Sequence, residues 1–552
     1  MFTVRSSARS LSLIATLLAS PLAAPIGAQP SDSTGTPEAA AALRWRSIGP
    51  VRAGRARALA GVPSQPNVFY IGFDNGGVWR STDYGSTWAP LFDREPTGSI
   101  GAIAVAPSDP KIIYVGSGAG IIRPDLAVGN GMYKSIDGGA TWTHLGLGDS
   151  QMIAMIEVDP NNPDRLFVAA LGHPYGPNSE RGIFRSTDGG KSFQKVLYKD
   201  EYTSANDVRI DPSDPNTVYA TLWQQQEAFY EGGSFGGSGN GIFKSIDGGT
   251  TWKQLTAGLP TVIQANLAIA RSNPRVLYAT VAGTAPEGDS ISRRREVLGF
   301  YKSMDAGEHW QLVRRDSAGT SASASDPRPM VRIGGGDLPT IVVDPQNENV
   351  IYSCSTVFWR TEDGGLTWSA VRGAPGGDDY QKAWVNPNNP NILLLVSDQG
   401  GVVSANRGAS WSNWYTQSTA AMYHVSTDNA FPYRVCGGQQ DSGSACVDSR
   451  SPDGEITFHD WHPVNIQEYG IAASDPRQPD LVYGSMRRGV SLYNRKTGQT
   501  TYVGPDMSKP GPNGASYNRN VRTMPIQWSP LDPTVLYYTS NAVWRSTDHA
   551  HS

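Results

Sequence analysis

The stretches STDYGSTW at residues 81–88, SIDGGATW at 135–142, STDGGKSF at 186–193 and SIDGGTTW at 245–252 are copies of one pattern, S-x-D-x-G-x-[TS]-[WF]. Looser copies follow at 303–310 (SMDAGEHW), 361–368 (TEDGGLTW) and 404–411 (SANRGASW), and an eighth begins with STD at Ser546. The aspartates Asp83, Asp137, Asp188, Asp247, Asp305 and Asp363 recur every 51 to 59 residues, close to the period of a four-stranded blade. A second signature precedes each box: PSQPNVFY at 63–70, PSDPKIIY at 107–114, PNNPDRLF at 160–167, PSDPNTVY at 212–219 and, near the end, PLDPTVLY at 530–537. Its Pro and Asn favour a turn, and its β-branched and aromatic tail favours a strand. Each unit therefore reads as strand A, a proline turn, strand B, a variable loop, strand C running into the box, and strand D starting at the box aromatic. Repetition of such units predicts an all-β propeller.

Within the box, Asp can accept hydrogen bonds from turn N–H groups, Gly supplies a left-handed turn, and Trp is free to bury against the neighbouring unit. Repetition in every unit marks these aspartates as structural, because a catalytic site occurs once. Seven units run from residue 43 to 416. The units after Trp411 lack a complete box, and three more are counted over 417–552, the last cut off inside its box. Two arrangements fit: a seven-bladed propeller followed by the start of a second, which the change of character after Trp411 favours, or one ten-bladed ring.

Composition agrees with this reading. The 552 residues include 61 Gly and 39 Pro, and only 17% are charged, as suits short strands joined by tight turns. A net charge of -4 gives no electrostatic reason to expect nucleic acid. Arg5 and Arg9, the apolar run Leu11 to Ala24 and small residues ending at Ala28 have the layout of a signal peptide over 1–28. A flexible lead-in over 29–42 follows, and the protein is expected to be secreted or periplasmic. The apolar run is too short and too interrupted by Pro21 and Pro25 to span a membrane. Cys436 and Cys446 lie five residues either side of Asp441 and would face each other in a hairpin, either as a disulfide or as two small core residues. Cys354 reads as a buried thiol.

Binding is expected on the face opposite the boxes, where the B–C loops vary in length. Trp223, Phe229, Tyr230, Phe235 and Tyr175 fall in those loops and could stack on sugar rings or pack their own loops. Two acids outside the boxes share this face: Asp74 in FDNGGVWR at 73–80 and Asp441 in QDSGS at 440–444. Arg52, Arg55 and Arg57 read as a polar rim. His459 and His462 in HDWH would point to opposite faces of a strand, which argues against a shared metal. Phosphate-loop, nucleophile-elbow and zinc spacings are missing, so neither cofactor nor metal is expected.

FDNGGVWR resembles the T-D-[IV]-G-G-x-Y-R stretch of the glycoside hydrolase family 74 xyloglucanases, two-propeller enzymes with Asp-box (BNR) turns, and Asp74 stands in the place of an acid. QDSGS matches that family's second acid stretch, G-D-x-x-G-F, loosely through Asp441. The resemblance implies a cleft in which one carboxyl protonates the leaving oxygen and the other activates water, with inversion. WRSIGPVRAGR at 45–55, ALGHPYGPNSERGIFRSTDGG at 170–190 and YHVSTDNAFPYRVCGGQQDSGS at 423–444 also resemble secreted bacterial sortilin-like and glycosyl-hydrolase-like repeat proteins. That likeness implies a non-catalytic propeller binding a peptide, protein or glycan on the loop face. The two expectations are thus a hydrolase of a β-linked polysaccharide using Asp74 and Asp441, the more enclosed carboxyl being the acid, and a binding module.

Overall fold

A computed structural model describes residues 46–121, 127–225, 237–284, 296–317, 328–332, 337–486, 489–505, 521 and 523–551. The compact unit that carries the strands begins at Ile48. Its described residues form ten antiparallel sheets, and their only helical turns are the 3-10 turns Gly148–Ser150 and Phe458–Asp460. No helix among them is long and apolar enough to cross a membrane.

Every sheet is a simple meander. The first runs Ala56–Val62, Gln65–Phe73, Gly77–Ser81 and Ala89–Pro90 in spatial order, so its third strand leads into the box and its fourth starts just past Trp88. The following sheets span 100–146, 153–197, 203–255, 262–317, 340–372, 380–404, 426–462, 472–503 and 526–546. Those over 380–404 and 526–546 have three strands and the others four.

A sheet buried on both faces must pack against a neighbour on each side, and the cores show how this is met. The first strands pack in sequence, from Ala56–Val62 through Ile100–Val105, Ile153–Val158, Thr203–Ile210, Val262–Ile269, Thr340–Asp344 and Tyr380–Val385. Tyr380–Val385 then packs against Ala56–Val62 again. One apolar cluster fills each junction, and the cluster at the return junction joins Phe69, Ile71 and Phe73 of the first sheet to Ile392, Leu394 and Val396 of the seventh. Trp88 sits in that cluster, and Trp142, Phe193, Trp252, Trp310, Trp368 and Trp411 each join the cluster between their own sheet and the preceding one. The eighth, ninth and tenth sheets are linked by clusters of their own.

The box turns are built as their composition requires. In the fourth sheet the Asp247 carboxylate accepts from Thr251 N (2.8 Å), the Thr251 hydroxyl (2.6 Å) and the Ser245 hydroxyl (2.8 Å), while Ser245 Oγ accepts from Gly249 N at 2.8 Å. Asp137 and Asp188 repeat the pattern. Hydroxyl and then backbone N–H donors hold all three carboxyls down at about 2. Each carboxylate thus spends most of its acceptor capacity on closing its own turn.

Cys436 and Cys446 are directly paired across the hairpin of strands Arg434–Gln439 and Gly443–Asp448 and are joined by a disulfide, with Cα atoms 4.0 Å apart. Cys354 is a buried free thiol, and burial pushes it up to about 12. His459 lies on the 3-10 turn Phe458–Asp460 rather than on a strand with His462. The strand geometry expected for HDWH therefore does not apply: Thr457 and Asp460 form a capping box that turns the chain into a helical start.

Candidate active site

Three B–C turns converge beside the junction of the first, seventh and eighth sheets, and each carries an aspartate. Asp74 follows strand Gln65–Phe73, Asp398 lies between strands Leu393–Ser397 and Gly400–Ser404, and Asp441 lies between Arg434–Gln439 and Gly443–Asp448. All three meet at Arg55. Its Nη2 lies 2.8 Å from Asp398 Oδ2 and 3.9 Å from Asp441 Oδ2, and its Nε lies 3.8 Å from Asp74 Oδ2. Since one guanidinium touches both, the nearest oxygens of Asp74 and Asp441 are no more than about 10 Å apart, a bound that contains the separation of ~6.5–9.5 Å used by inverting glycosidases.

The segment bearing Arg55 is wedged in place. Thr419 N donates to Arg52 O at 3.2 Å, and Gln439 Nε2 donates to Ala53 O at 2.9 Å. Gly54 presses so closely on the chain that a Cβ there would stand 2.6 Å from Thr419 O, so any side chain would have to displace backbone. Arg55 and Arg57 are only 4% and 8% exposed. The polar rim expected for these arginines is thus corrected. Arg55 immediately precedes the innermost strand Ala56–Val62 and Arg57 lies on it, both buried, and a guanidinium there requires carboxylates, which Asp398 supplies to Arg55 and Asp337 (3.8 Å) to Arg57.

Amide side chains complete the network. Gln440 Nε2 donates to Asp398 Oδ2 (2.8 Å) and to Asp441 Oδ2 (2.5 Å), Gln381 Nε2 donates to Asp398 Oδ1 (2.7 Å), and Arg57 donates to Gln381. Asp441 N donates to Glu468 at 2.9 Å. One carboxylate oxygen each of Asp379, Asp398 and Asp441 lies within 4.8 Å of the other two. Burial first, and then the neighbouring carboxylate of Asp398, push the Asp441 carboxyl up to about 9. Burial also raises Asp378.

Asp441 opens onto a cavity of about 220 Å³ lined by Arg52, Ala53, Asp378, Gln399, Trp414, Tyr415 and Ser442, among others. Its aromatic wall continues outward: Tyr415 packs on Phe458 at 5.5 Å between centroids, Phe458 on Trp461 at 5.6 Å, and the Arg52 guanidinium lies over Trp461 at 5.4 Å. Acids beside flat apolar faces are the equipment for holding a sugar and protonating its oxygen.

The residues singled out from the sequence thus divide. Asp74 and Asp441 are brought to one arginine. Trp223 corrects the expectation of a loop aromatic: it lies on strand Val218–Gln224, is 6% exposed, and lines the channel enclosed by the first strands. The strand extends further than the sequence boundary suggested, because Leu222 and Trp223 pair with Ala205 and Ser204. Tyr175 is exposed and is not among the residues lining the Asp441 cavity. Phe229, Tyr230 and Phe235 lie outside the described residues. Reasoning from sequence missed Arg55, Asp398, Trp414 and Tyr415. A signal for Asp398 was present: DQGGV at 398–402 repeats DNGGV at 74–78.

The channel is a separate feature of about 520 Å³. Lys382 of the seventh sheet reaches across it to Ala154 O of the third at 2.9 Å, and burial, aided by Arg57, lowers its ammonium to about 7.

The fold is that of an all-β propeller built from antiparallel meander sheets. No family model matches the chain. Among curated proteins it is 24% identical over 353 residues to the xyloglucanase Xgh74A of Acetivibrio thermocellus, and 25% identical over 347 residues to a xyloglucanase of Hypocrea jecorina. Both alignments take in 56% of this chain and 37% of the relative, so the chain spans little more than a third of the length of these relatives. Among solved structures it is similar to the glycoside hydrolase family 74 xyloglucanase from Xanthomonas campestris, with a TM-score of 0.53, 17% identity, and coverage of 92% of this chain and 80% of that one. It is also similar to an ancestral enzyme of the same family, with a TM-score of 0.55, 18% identity, and coverage of 91% and 76%. At these identities the structural likeness establishes the fold.

Proposed function

We propose that this chain is the propeller portion of a secreted hydrolase that cleaves a β-linked polysaccharide of the xyloglucan class, with Asp441 as general acid and Asp74 as general base. In this reading residues 43–416 form a seven-bladed propeller and 417–552 begin a second, so the acids come from both and the glycan lies between them. The observation that carries it is the meeting of Asp74 and Asp441 at Arg55, because both acids come from stretches that resemble the acid stretches of the xyloglucanases. Asp441 gives its proton to the glycosidic oxygen as the bond to the anomeric carbon breaks. Water attacks that carbon from the opposite face and loses a proton to Asp74. Exchange with solvent then restores both groups. Protonation near neutral pH suits Asp441 to the acid role. The expectation that the more enclosed carboxyl is the acid would have chosen Asp74, whose side chain is 5% exposed against 31% for Asp441. The raised Asp441 carboxyl assigns the roles the other way and leaves Asp74 as the base.

One observation favours the second reading, a glycan- or peptide-binding module: Asp74 is not among the residues lining the cavity, so a base there needs the site to open. Both readings are tested on the full-length secreted protein with xyloglucan. Reducing ends released by the native protein and lost in Asp441→Asn and Asp74→Asn support hydrolysis. Retention of the glycan without cleavage supports the binding module.

A further inference from the structure

Asp398 has no counterpart in the two acid stretches compared with the xyloglucanases, yet it is the most deeply placed carboxylate of the cluster, with its side chain 1% exposed. It accepts from four donors on three segments. Arg55 Nε and Nη2 lie 3.0 and 2.8 Å from Oδ2, Gln440 Nε2 lies 2.8 Å from the same oxygen, and Gln381 Nε2 lies 2.7 Å from Oδ1. The same Gln440 amide also reaches Asp441 Oδ2, so one side chain ties the two carboxyls together. Two carboxyls held at this range cannot both ionise cheaply. The surroundings add little to relieve them. Arg55 faces the pair but is shared with Asp74, Arg52 lines the cavity onto which Asp441 opens, and Asp379 and Glu468 contribute further carboxyls from adjoining segments.

We propose that Asp398 is the positioning residue of this site: it fixes Arg55 and Gln440 and shares a single proton with Asp441, so that Asp441 meets a bound glycan as an acid. The role in catalysis rests on the hydrolase reading, whereas the shared proton does not. Arg55 sits nearer Asp398 than Asp441, at 2.8 against 3.9 Å, and so biases the proton toward Asp441, the member that opens onto the cavity.

The test is a carboxyl titration by NMR of the full-length protein labelled with 13C at aspartate Cγ, the Asp441 signal being assigned by its loss in Asp441→Asn. The native protein should keep Asp441 protonated at pH 7. Asp398→Asn should lower its midpoint by roughly two units or more, because the repelling charge is gone, and Asp398→Glu should keep most of the elevation. An Asp441 that titrates in the native protein as an isolated carboxyl, near 4, overturns the proposal even if Asp398→Asn does not fold. An unchanged midpoint in Asp398→Asn overturns it as well. On xyloglucan, the alkaline limb of kcat/KM should move down with the same midpoint, a shift that loss of structure alone would not produce. If xyloglucan is not cleaved at all, the hydrolase reading fails and the titration still decides whether the proton is shared.

Discussion

Replacing Arg55 with methionine removes the cation from a cluster of carboxylates while keeping most of the apolar stem. The strongest loss falls on Asp398, which keeps its amide donors Gln440 and Gln381 but loses two charge-assisted bonds at 2.8 and 3.0 Å. Breaking a buried ion pair by removing one partner ordinarily costs about 3–5 kcal/mol. A ceiling can be set, since the orphaned carboxylate can always take a proton from solution. For a group of ordinary pKa near 4, that escape costs about 4 kcal/mol at pH 7 and about 1.4 kcal/mol less for each pH unit below it. Arg55→Met should therefore lower unfolding stability by about 3–4 kcal/mol at pH 7 and by only about 1–2 kcal/mol at pH 5. The double variant Arg55→Met/Asp398→Leu should recover part of the loss, because neither the Arg55 nor the Asp398 charge is then left buried, while Asp74 still lacks its cation. Urea unfolding followed by tryptophan fluorescence at the two pH values measures this. A loss below about 1 kcal/mol at pH 7, or one that does not change with pH, would show that Arg55 is not the counter-ion of this cluster.

Other consequences can be checked with similar means. The Cys436–Cys446 disulfide closes a loop with a sequence separation of 10, so Cys436→Ser/Cys446→Ser should cost about 2–3 kcal/mol, and thiol titration of denatured, unreduced protein should find one free thiol, Cys354, rather than three. Asp441, raised in the folded chain to about 9, contributes stability that is fully present below pH ~4 and is lost as pH rises toward 9. Asp441→Asn should therefore melt at a higher temperature than the native protein, with the gap widening from pH 5 to pH 9, and a constant gap would contradict the raised carboxyl. Asp247, lowered to about 2, contributes stability that is present above pH ~4 and lost as pH falls toward 2. Asp247→Ala should abolish that acid-side loss and leave the hydrolysis of any glycan unchanged, whereas a catalytic role would remove activity with the fold intact.

The fold was legible because the box repeats every element of a local argument: a hydroxyl to accept from a glycine N–H, a carboxylate to close the turn, and an aromatic for the junction with the preceding sheet. Ser245, Asp247, Gly249 and Trp252 do in the structure what those residue types do anywhere. The site was legible in part. Asp74 and Asp441 could be chosen because they stand in the B–C turns outside the repeat. Arg55 could not, since three arginines in RAGRAR give no hint of which one reaches the acids, and its partners lie 19, 343 and 386 residues away. Asp398 was overlooked although its turn repeats that of Asp74. Likeness to a known pair of acids does not point to a third, which only a comparison of the B–C turns with one another brings out. Trp414 and Tyr415 follow a degenerate box with Asn406 in place of Asp, where the repeat no longer tells a junction residue from one facing a cavity.

The central claim is that Asp441 and Asp74 cleave a glycosidic bond with inversion, and the most direct measurement is 1H NMR of xyloglucan during its first minutes with the full-length protein. The account predicts that new reducing ends appear first as the α-anomer and only later equilibrate, and that none appear with Asp441→Asn. New ends appearing first as the β-anomer, or no new ends from the native protein, would contradict it.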